Sequence, residues 1–301
     1  MLISRTVCKR LGVTLLLLSM TIAAPAQQDI ATLKKQAANG NAKAQLNLGF
    51  DYSLGHGVPQ DHSQAAVWYR KAAEHGDAIA EDVLGEAYAY GQGVPQDYTQ
   101  AVVWYGKAAE QNDAIGEDGL GVAYANGQGV PQDDMQAVKW YRKAAEHGLA
   151  QAQDRLASMY QIGHGVPQDY TQADIWYRKA AEHGYADAEN MIGRAYEEGY
   201  GVPQDYAQAA VWYRKAAQQG DALAQFSMGI MYESGHGVTQ DYAEAYFWLN
   251  LAASSKIVTV KQEDIDKIRD DAASHLTPAE LSRVQERARK WFESHSKQPQ
   301  Q

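Results

Sequence analysis

The sequence predicts an all-α solenoid of stacked helix-turn-helix repeats with capping helices at its ends. A heptapeptide of the form Gly-x-Gly-Val-Pro-Gln-Asp returns every 36 residues from Gly55 to Asp205, and a variant copy occupies residues 235–241. A tryptophan keeps the same spacing, at Trp68, Trp104, Trp140, Trp176, Trp212 and Trp248. Similarity at a fixed period of this length is typical of repeat proteins, because one such unit cannot bury its own apolar face.

The first 26 residues are predicted to be a cleaved signal peptide. Basic Arg5, Lys9 and Arg10 precede an apolar stretch that ends at Ile22, and Ala24-Pro25-Ala26 supplies the small residues of a cleavage site. The apolar stretch is shorter than the roughly 20 residues that a spanning helix needs. We therefore expect a periplasmic or secreted mature chain without a membrane span. An uncleaved anchor is the alternative.

Composition narrows the chemistry of the mature chain. The single cysteine, Cys8, lies inside the predicted leader, so the mature chain would have no disulfide and no thiolate chemistry. The net charge of −10 becomes −13 once the three basic residues of the leader are removed. This acidic balance disfavours nucleic acid and anionic lipid as partners. A plain solvated surface is the favoured interpretation, and a basic partner is compatible with it but not required.

Residues 27–43 are predicted to form an N-terminal capping half-repeat, because residues 33–40 match the end of a repeat such as residues 69–76. Six repeats of 36 residues then fill residues 44–255.

Each repeat is predicted to begin with an amphipathic helix. In the second repeat, Ala80, Leu84, Gly85 and Tyr88 share one face of that helix, and the Gly-x-Gly-Val-Pro sequence then ends it. The tyrosine recurs in every repeat and is expected to be a core residue, at Tyr52, Tyr88, Tyr124, Tyr160, Tyr196 and Tyr232. The recurring tryptophans are expected to fill the space between helices and to dominate the buried area.

The second helix of each repeat is predicted to begin at the aspartate of the heptapeptide. Asp97 can accept hydrogen bonds from the free N–H groups of the first turn, and Gln100 completes a capping box. The helix is predicted to end at a residue that tolerates the left-handed conformation. These end residues are Gly76, Asn112, Gly148, Gly184 and Gly220.

Beyond the repeats, residues 256–293 are predicted to form C-terminal capping helices. Thr277, Pro278 and Glu280 combine an N-cap, a first-turn proline and a capping-box acid, which together mark a helix start. The polar residues 294–301 are predicted to be a disordered tail.

The repeat consensus A-x-x-x-L-G-x-x-Y-x-x-G-x-G-V-x-x-D-x-x-x-A-x-x-W-Y-x-K-A-A-x-x-G resembles the Sel1-like repeat, a relative of the tetratricopeptide repeat. Residues 80–112 match it almost throughout, whereas Gly106, Gly116 and Ala157 depart from it. The resemblance implies a right-handed α/α superhelix that serves as an adaptor or scaffold for other proteins, in bacteria often in envelope processes or host contact. One cysteine-rich branch is associated with β-lactam binding, but this chain lacks the paired cysteines of that branch.

No catalytic, cofactor or metal site is predicted, and the chain is expected not to be an enzyme. A Ser-x-x-Lys sequence at 294–297 lies in the polar tail rather than at a rigid helix start. Histidines share two repeat positions, which are His56, His164 and His236 in the loops and His75, His147 and His183 at the helix ends. Neighbouring units stack about 10 Å apart, so histidines at equivalent positions of two units are too far apart to bind one metal ion.

Recognition is expected at positions that vary among the repeats, on the face of the first helices opposite their buried stripe. The candidate groove residues are Leu46, Phe50, Asp82, Glu86, Asp118, Asp154, Arg194, Glu197, Phe226 and Ile230. The middle of this set is acidic and its ends are apolar, which predicts a concave groove that holds an extended peptide or protein segment carrying Lys or Arg. Alternatively, these positions drift freely and Phe50 and Phe226 only contact the terminal caps.

Two other functions stay open. Tyr90, Tyr185 and Tyr200 fall outside the repeat pattern and could serve a module that binds peptidoglycan or another glycan. A hydrolase resembling the β-lactam-associated branch is the remaining, less favoured interpretation.

Overall fold

The structure, a computed structural model, describes residues 29–255, 257 and 259–295. The predicted leader and residues 296–301 of the predicted tail lie outside these residues. The described residues form 15 helices and no strand, which confirms the predicted all-α repeat fold. The chain divides into two compact units, the first ending at Leu149 and the second beginning at Ala150.

The first unit consists of a short leading helix and three helix pairs. Its helices are α1 (Ile30–Ala38), α2 (Ala42–Leu54), α3 (His62–Glu74), α4 (Ala78–Tyr90), α5 (Tyr98–Glu110), α6 (Ala114–Asn126) and α7 (Asp134–Glu146). The pairs are α2 with α3, α4 with α5, and α6 with α7. Helix α1 covers the first pair, since Leu33 and Ala37 pack against Ala44 and Leu48 of α2.

The second unit contains three more pairs followed by two further helices. Its helices are α8 (Ala150–Ile162), α9 (Tyr170–Glu182), α10 (Ala186–Glu198), α11 (Tyr206–Gln218), α12 (Ala222–Ser234), α13 (Tyr242–Ala253), α14 (Gln262–Ser274) and α15 (Pro278–His295). Helices α14 and α15 pack on α13 and bury Ala272, Val284 and Ala288. Ser294 and His295 belong to α15, so the predicted tail begins two residues too early.

The helix starts follow the sequence closely, with one difference. Asp97 accepts hydrogen bonds from the N–H groups of Thr99 and Gln100, and all six heptapeptide aspartates cap a second helix in this way. A full capping box would satisfy the N–H of Asp97 with the Gln100 side chain. That N–H instead donates to the carbonyl of Tyr88 at 2.9 Å, and the other five aspartates do the same. This bond ties each second helix to the end of its first helix.

The C-terminal helix start forms the complete box. The N–H of Thr277 donates to Glu280 Oε2 at 2.9 Å, and the N–H of Glu280 donates to Thr277 Oγ1 at 3.3 Å.

At the turn that ends a second helix, Asn112 adopts φ +60°, the left-handed conformation that its glycine counterparts also adopt. Both predictions are confirmed.

The glutamine of the heptapeptide has a structural role that the sequence analysis missed. Gln96 Nε2 donates to the carbonyl of Ala89 at 2.8 Å, and the equivalent glutamines donate to the equivalent carbonyls in four other repeats. Carbonyls in the last turn of a helix have no partner within the helix. The glutamine therefore caps the end of the first helix while the neighbouring aspartate caps the start of the second.

The aromatic core differs from the prediction. The tyrosine after each of the first five recurring tryptophans fills the space between paired helices, at Tyr69, Tyr105, Tyr141, Tyr177 and Tyr213. Leu249 takes this position in the sixth repeat. Of the six recurring tryptophans, Trp104 and Trp248 are buried and the other four are half-buried, as are the first-helix tyrosines. The ring of Tyr105 lies against Gly85, where a Cβ would come within 2.7 Å of it. In four first helices a glycine makes room for the tyrosine in this way, at Gly49, Gly85, Gly121 and Gly193.

The second glycine of the heptapeptide lets one repeat rest on the one before it. Gly93 has φ +72°, and a Cβ there would lie 1.9 Å from the backbone oxygen of His62 at the start of α3. The same close approach joins Gly129 to Tyr98. In the second unit it joins Gly201 to Tyr170 and Gly237 to Tyr206.

Candidate binding surface on the first helices

The candidate groove residues do not form one exposed surface. In the first unit Leu46, Asp82, Glu86 and Asp118 are buried, so their expected exposure is wrong. The reason is that a first helix has more than one neighbour. Helix α4 packs against α3, α5 and α6, and every residue from Ala80 to Ala87 is buried. The face opposite the first buried stripe meets the next repeat instead of solvent.

The apolar candidates of the first unit are core residues. Leu46 is buried in one cluster with Tyr69 and Leu84, and the half-buried Phe50 packs against the same cluster. The rings of Phe50 and Tyr69 meet edge to face with centroids 5.4 Å apart. Both candidates thus have partners within the unit.

The candidates of the second unit are more open. Arg194 is exposed, and the others are half-buried, namely Asp154, Glu197, Phe226 and Ile230. Glu197 accepts a hydrogen bond from the Tyr213 hydroxyl at 2.5 Å, and Gln161 accepts one from Tyr177 at 2.7 Å. In these two repeats the side chain at this first-helix position, Gln161 or Glu197, therefore accepts a hydrogen bond from the hydroxyl of the buried tyrosine.

The structure brings the acidic candidates of the first unit together. Asp82, Glu86 and Asp118 form a carboxylate cluster with Asp113. Asp82 is 1% exposed, and neither of its carboxylate oxygens accepts a hydrogen bond from any residue that the structure describes. Burial raises the pKa of Asp82 well above its ordinary range, and the neighbouring Glu86, Asp113 and Asp118 raise it further. A buried charge that lacks a partner is costly, so the carboxyl of Asp82 holds its proton to a higher pH.

The cluster has a phenol and a helix cap at its edges. Burial and the charge of Glu86 raise the pKa of the Tyr105 hydroxyl on α5. Asp113 caps α6 and accepts the N–H of Gly116 at 2.9 Å. Burial nevertheless raises the pKa of Asp113. The cluster thus draws its groups from α4, α5 and the start of α6.

The raised pKa of Asp82 determines how this residue makes the free energy of unfolding depend on pH. Below the ordinary pKa of an aspartate, the carboxyl is protonated in both the folded and the unfolded chain, and its burial carries no ionisation cost. As the pH rises toward the raised pKa of the folded state, the unfolded chain loses the proton first. The free energy of unfolding contributed by this group therefore falls with rising pH.

A second set of buried polar residues was missed from sequence. Glu81 accepts a hydrogen bond from Gln111 at 2.8 Å, and Glu189 accepts one from Gln219 at 2.6 Å. Glu117 lies 2.8 Å from His147. Each pair joins a first helix to the end of its second helix, 30 residues later. The signal was present as polar residues that match across this spacing.

The first five recurring tryptophans carry a lysine over the indole face. The lysine lies three residues after the tryptophan, and its Nζ is 3.8 to 4.6 Å from the ring centroid. The pairs are Trp68–Lys71, Trp104–Lys107, Trp140–Lys143, Trp176–Lys179 and Trp212–Lys215. This contact explains why the consensus keeps a lysine there.

The three tyrosines outside the repeat pattern are all half-buried. Tyr200 stacks on Tyr170 with ring centroids 4.8 Å apart, so one face of its ring is used within the protein. Across the described part of the chain, no three His, Cys, Asp or Glu side chains converge so that they could hold a metal ion. None of the described helices is long and apolar enough to cross a bilayer.

The family model of the Sel1 repeat matches seven segments of this chain. The matched segments are 42–77, 78–113, 115–149, 150–185, 186–221, 222–256 and 274–298. The chain belongs to the Sel1 repeat family. The seventh Sel1 match falls on the segment of α15, in the region predicted to be only a C-terminal cap.

Two solved structures of Sel1 proteins are similar to this chain. One is c5321, a protective antigen present in uropathogenic Escherichia coli strains, at 39% identity and a TM-score of 0.75 over 90% of this chain and 56% of that one. The other is a Sel1 repeat protein from Oxalobacter formigenes, at 35% identity and a TM-score of 0.71 over 75% and 93%. The present chain thus spans little more than half the length of the Escherichia coli protein. No match was found among curated proteins.

Proteins built from Sel1 repeats are generally protein-interaction scaffolds, and relatives of this chain are typically non-enzymatic.

Proposed function

We propose that this Sel1 protein is a non-enzymatic scaffold that binds an extended protein or peptide segment along its first helices, with a Lys or Arg of that segment meeting the carboxylate cluster of the first unit. The observation that supports this proposal is the Asp82 carboxylate, buried and without a hydrogen-bond partner among the described residues. Glu86, Asp113 and Asp118 surround it with charge of the same sign. A cation would relieve both the desolvation and the repulsion.

Access to the cluster requires side chains to move. Glu86 and Asp118 are 7% and 6% exposed, so a ligand cation reaches Asp82 only when groups on α4 and α6 part. A long Lys or Arg side chain suits such a site, because its apolar stem packs while its charged end pairs. The acidic net charge of the chain favours the approach of a basic segment.

Binding should be measured with a labelled basic peptide, Gly-Lys-Ala-Lys-Ala-Lys-Gly, by fluorescence anisotropy at low and at moderate salt. Asp82→Asn is expected to weaken binding at least about tenfold, because a buried charge partner is lost. Affinity for the unsubstituted protein should rise with pH, since the ligand cation lowers the raised pKa of Asp82 and releases its proton. Asp82→Asn should remove that pH dependence.

The matched control is Asp97→Asn, which removes one carboxylate from an exposed helix cap of the same unit and retains a good capping residue. Its affinity is expected to stay within about twofold, because an exposed charge contributes little. Equal losses for the two variants, or equal binding of a peptide with Gln in place of Lys, would show that the cluster is not the site.

The proposed place of action is the bacterial envelope or the exterior. The support is the leader pattern of residues 1–26, with its basic start, short apolar stretch and Ala-Pro-Ala end. Osmotic-shock fractionation of cells expressing the full chain should release a product whose N-terminal residue is Gln27. A product retained in the cytoplasm with an intact leader contradicts this location.

A further inference from the structure

Helix α6 forms one side of the carboxylate cluster, and few apolar side chains of its own hold it in place. In this helix, which the structure describes in full, Leu120 is the only large apolar residue that is buried. Two of its other buried side chains are carboxylates, those of Glu117 and Asp118. Helix α4, in contrast, buries both Val83 and Leu84. The docked position of α6 therefore depends little on its own apolar side chains.

Three glycines take the place of side chains inside α6. A Cβ at Gly116 would lie 2.6 Å from that of Ala108 on α5. A Cβ at Gly119 would lie 2.8 Å from the ring of Tyr105 on the same helix, and Gly121 is the third glycine. These glycines let α6 lie close to its neighbours, but a glycine inside a helix is less stable than alanine. Once α6 leaves α5, its own sequence therefore gives the helix little stability.

Like charges at the contact between α4 and α6 oppose this docking. Asp82 on α4 is 1% exposed, and neither of its carboxylate oxygens accepts a hydrogen bond from a described residue. The titratable groups around it come from α3, α4, α5 and α6 and are all acids, namely Tyr69, Glu86, Tyr105, Asp113 and Asp118. A negative charge on Asp82 therefore raises the electrostatic cost of keeping α4 and α6 together.

Helix α6 is joined more firmly to α7, its partner in the third repeat. Glu117 Oε2 lies 2.8 Å from Nδ1 of His147, which follows the last residue of α7. The same histidine faces Asp113 at the start of α6. The ring of Tyr141 on α7 lies against Gly121 of α6. Because α6 and α7 are the last pair of the first unit, they can move together when α4 and α6 part.

We propose that the pair of α6 and α7 is a pH-controlled lid on the carboxylate cluster, closed while Asp82 keeps its proton and opened when Asp82 ionises. This inference rests on the proposed function, because the lid controls access to the cation site. Burial raises the pKa of Asp82 in the closed state, whereas water restores the ordinary pKa of about 4 in the open state. Between these two pKa values opening releases one proton, so the opening equilibrium constant rises about tenfold per pH unit.

Hydrogen exchange of the full mature chain, without any ligand, measures this opening. Amide exchange is followed by mass spectrometry from about pH 5 to about pH 8, and each rate is divided by the intrinsic rate of that amide at the same pH. The opening equilibrium constant of α6 should rise at least about tenfold over this range. Asp82→Asn should abolish the rise, because asparagine has no proton to release. The fold accepts asparagine there, since Asn190 holds the equivalent position and is 4% exposed.

Asp154→Asn is the matched control, because Asp154 holds the equivalent position two repeats later and is half-buried. This variant should keep the full rise at α6. An opening of α6 that does not change with pH in the unsubstituted protein would overturn the lid, and so would an equal rise in Asp82→Asn. Because no peptide is present, a lid that opens in a protein unable to bind the basic peptide would contradict only the proposed function.

Discussion

Tyr105→Ala is expected to lower the free energy of unfolding of the first unit by about 3–5 kcal/mol, the range seen when a large buried aromatic is truncated. Tyr105 is 7% exposed and packs in one cluster with Leu120 of α6. Its ring also lies against Gly85 and Gly119, where a Cβ would come within 2.8 Å of it. Two repeats therefore lose contacts when this ring is removed. Urea unfolding followed by circular dichroism measures the loss.

Tyr88→Ala is the matched control, because Tyr88 is the recurring first-helix tyrosine of the same repeat and is only half-buried. Its hydroxyl accepts a hydrogen bond from Arg70 at the surface. The expected loss is about 1–2 kcal/mol. Hydrogen exchange should place the effect of Tyr105→Ala in α4 to α6, since repeats contact mainly their neighbours. Equal losses for the two variants would contradict the assignment of the second-helix tyrosine as the core aromatic.

Gly93→Ala is expected to cost about 2–4 kcal/mol, because it combines a left-handed backbone with overpacking. The new Cβ would lie 1.9 Å from the oxygen and 2.3 Å from the carbon of the His62 carbonyl. Both are backbone atoms at the start of α3, so relief requires the two repeats to separate. The same unfolding experiment measures the effect.

Two other glycine-to-alanine variants serve as comparisons for Gly93→Ala. One has the left-handed backbone without the close contact, and the other has neither feature. Gly91 has φ +69°, but a methyl group added there would lie 3.4 Å from its nearest neighbours, so Gly91→Ala should cost only about 1 kcal/mol. Gly106 lies inside α5, and no described neighbour would come within 4 Å of a methyl group at that position. Gly106→Ala should therefore stabilise by about 0.5–1 kcal/mol. A Gly93→Ala loss no larger than that of Gly91→Ala would show that the repeats do not interlock there.

Features fixed by local chemistry could be predicted from the sequence. The cap at Asp97 depends on a side chain and the N–H groups two and three residues later, and the turn at Asn112 depends on one backbone conformation. Neither requires knowledge of tertiary contacts. The repeat period then carries the same local solution through the whole array.

The choice of core aromatic could not be read from recurrence alone. The tryptophan recurs in six repeats and the tyrosine in five, and Trp104 and Tyr105 point about 100° apart on the helix, so both are compatible with a core position. What decides between them is the opposing Gly85, which leaves room for one ring. A small residue that recurs as strictly as a large one is the signal that was available.

The burial of Leu46, Asp82, Glu86 and Asp118 could not be predicted for a different reason. A single 3.6-residue stripe identifies one packed face, but α4 packs on three other helices and has no free face over most of its length. Burial of Asp82 also runs against the composition rule that charged residues lie outside.

The contact between Gly93 and the His62 carbonyl involves main-chain atoms on one side and the absence of a side chain on the other. Such a contact requires glycine on one side but makes no demand on the side chain of the residue on the other side, as the partners His62, Tyr98, Tyr170 and Tyr206 illustrate. A complete 36-residue repeat can thus be duplicated or lost without a change in the side chains at the contact between repeats. An insertion of one residue disrupts this contact, because it shifts the glycine away from the carbonyl. Evolution of such arrays is thereby biased toward gain and loss in complete modules.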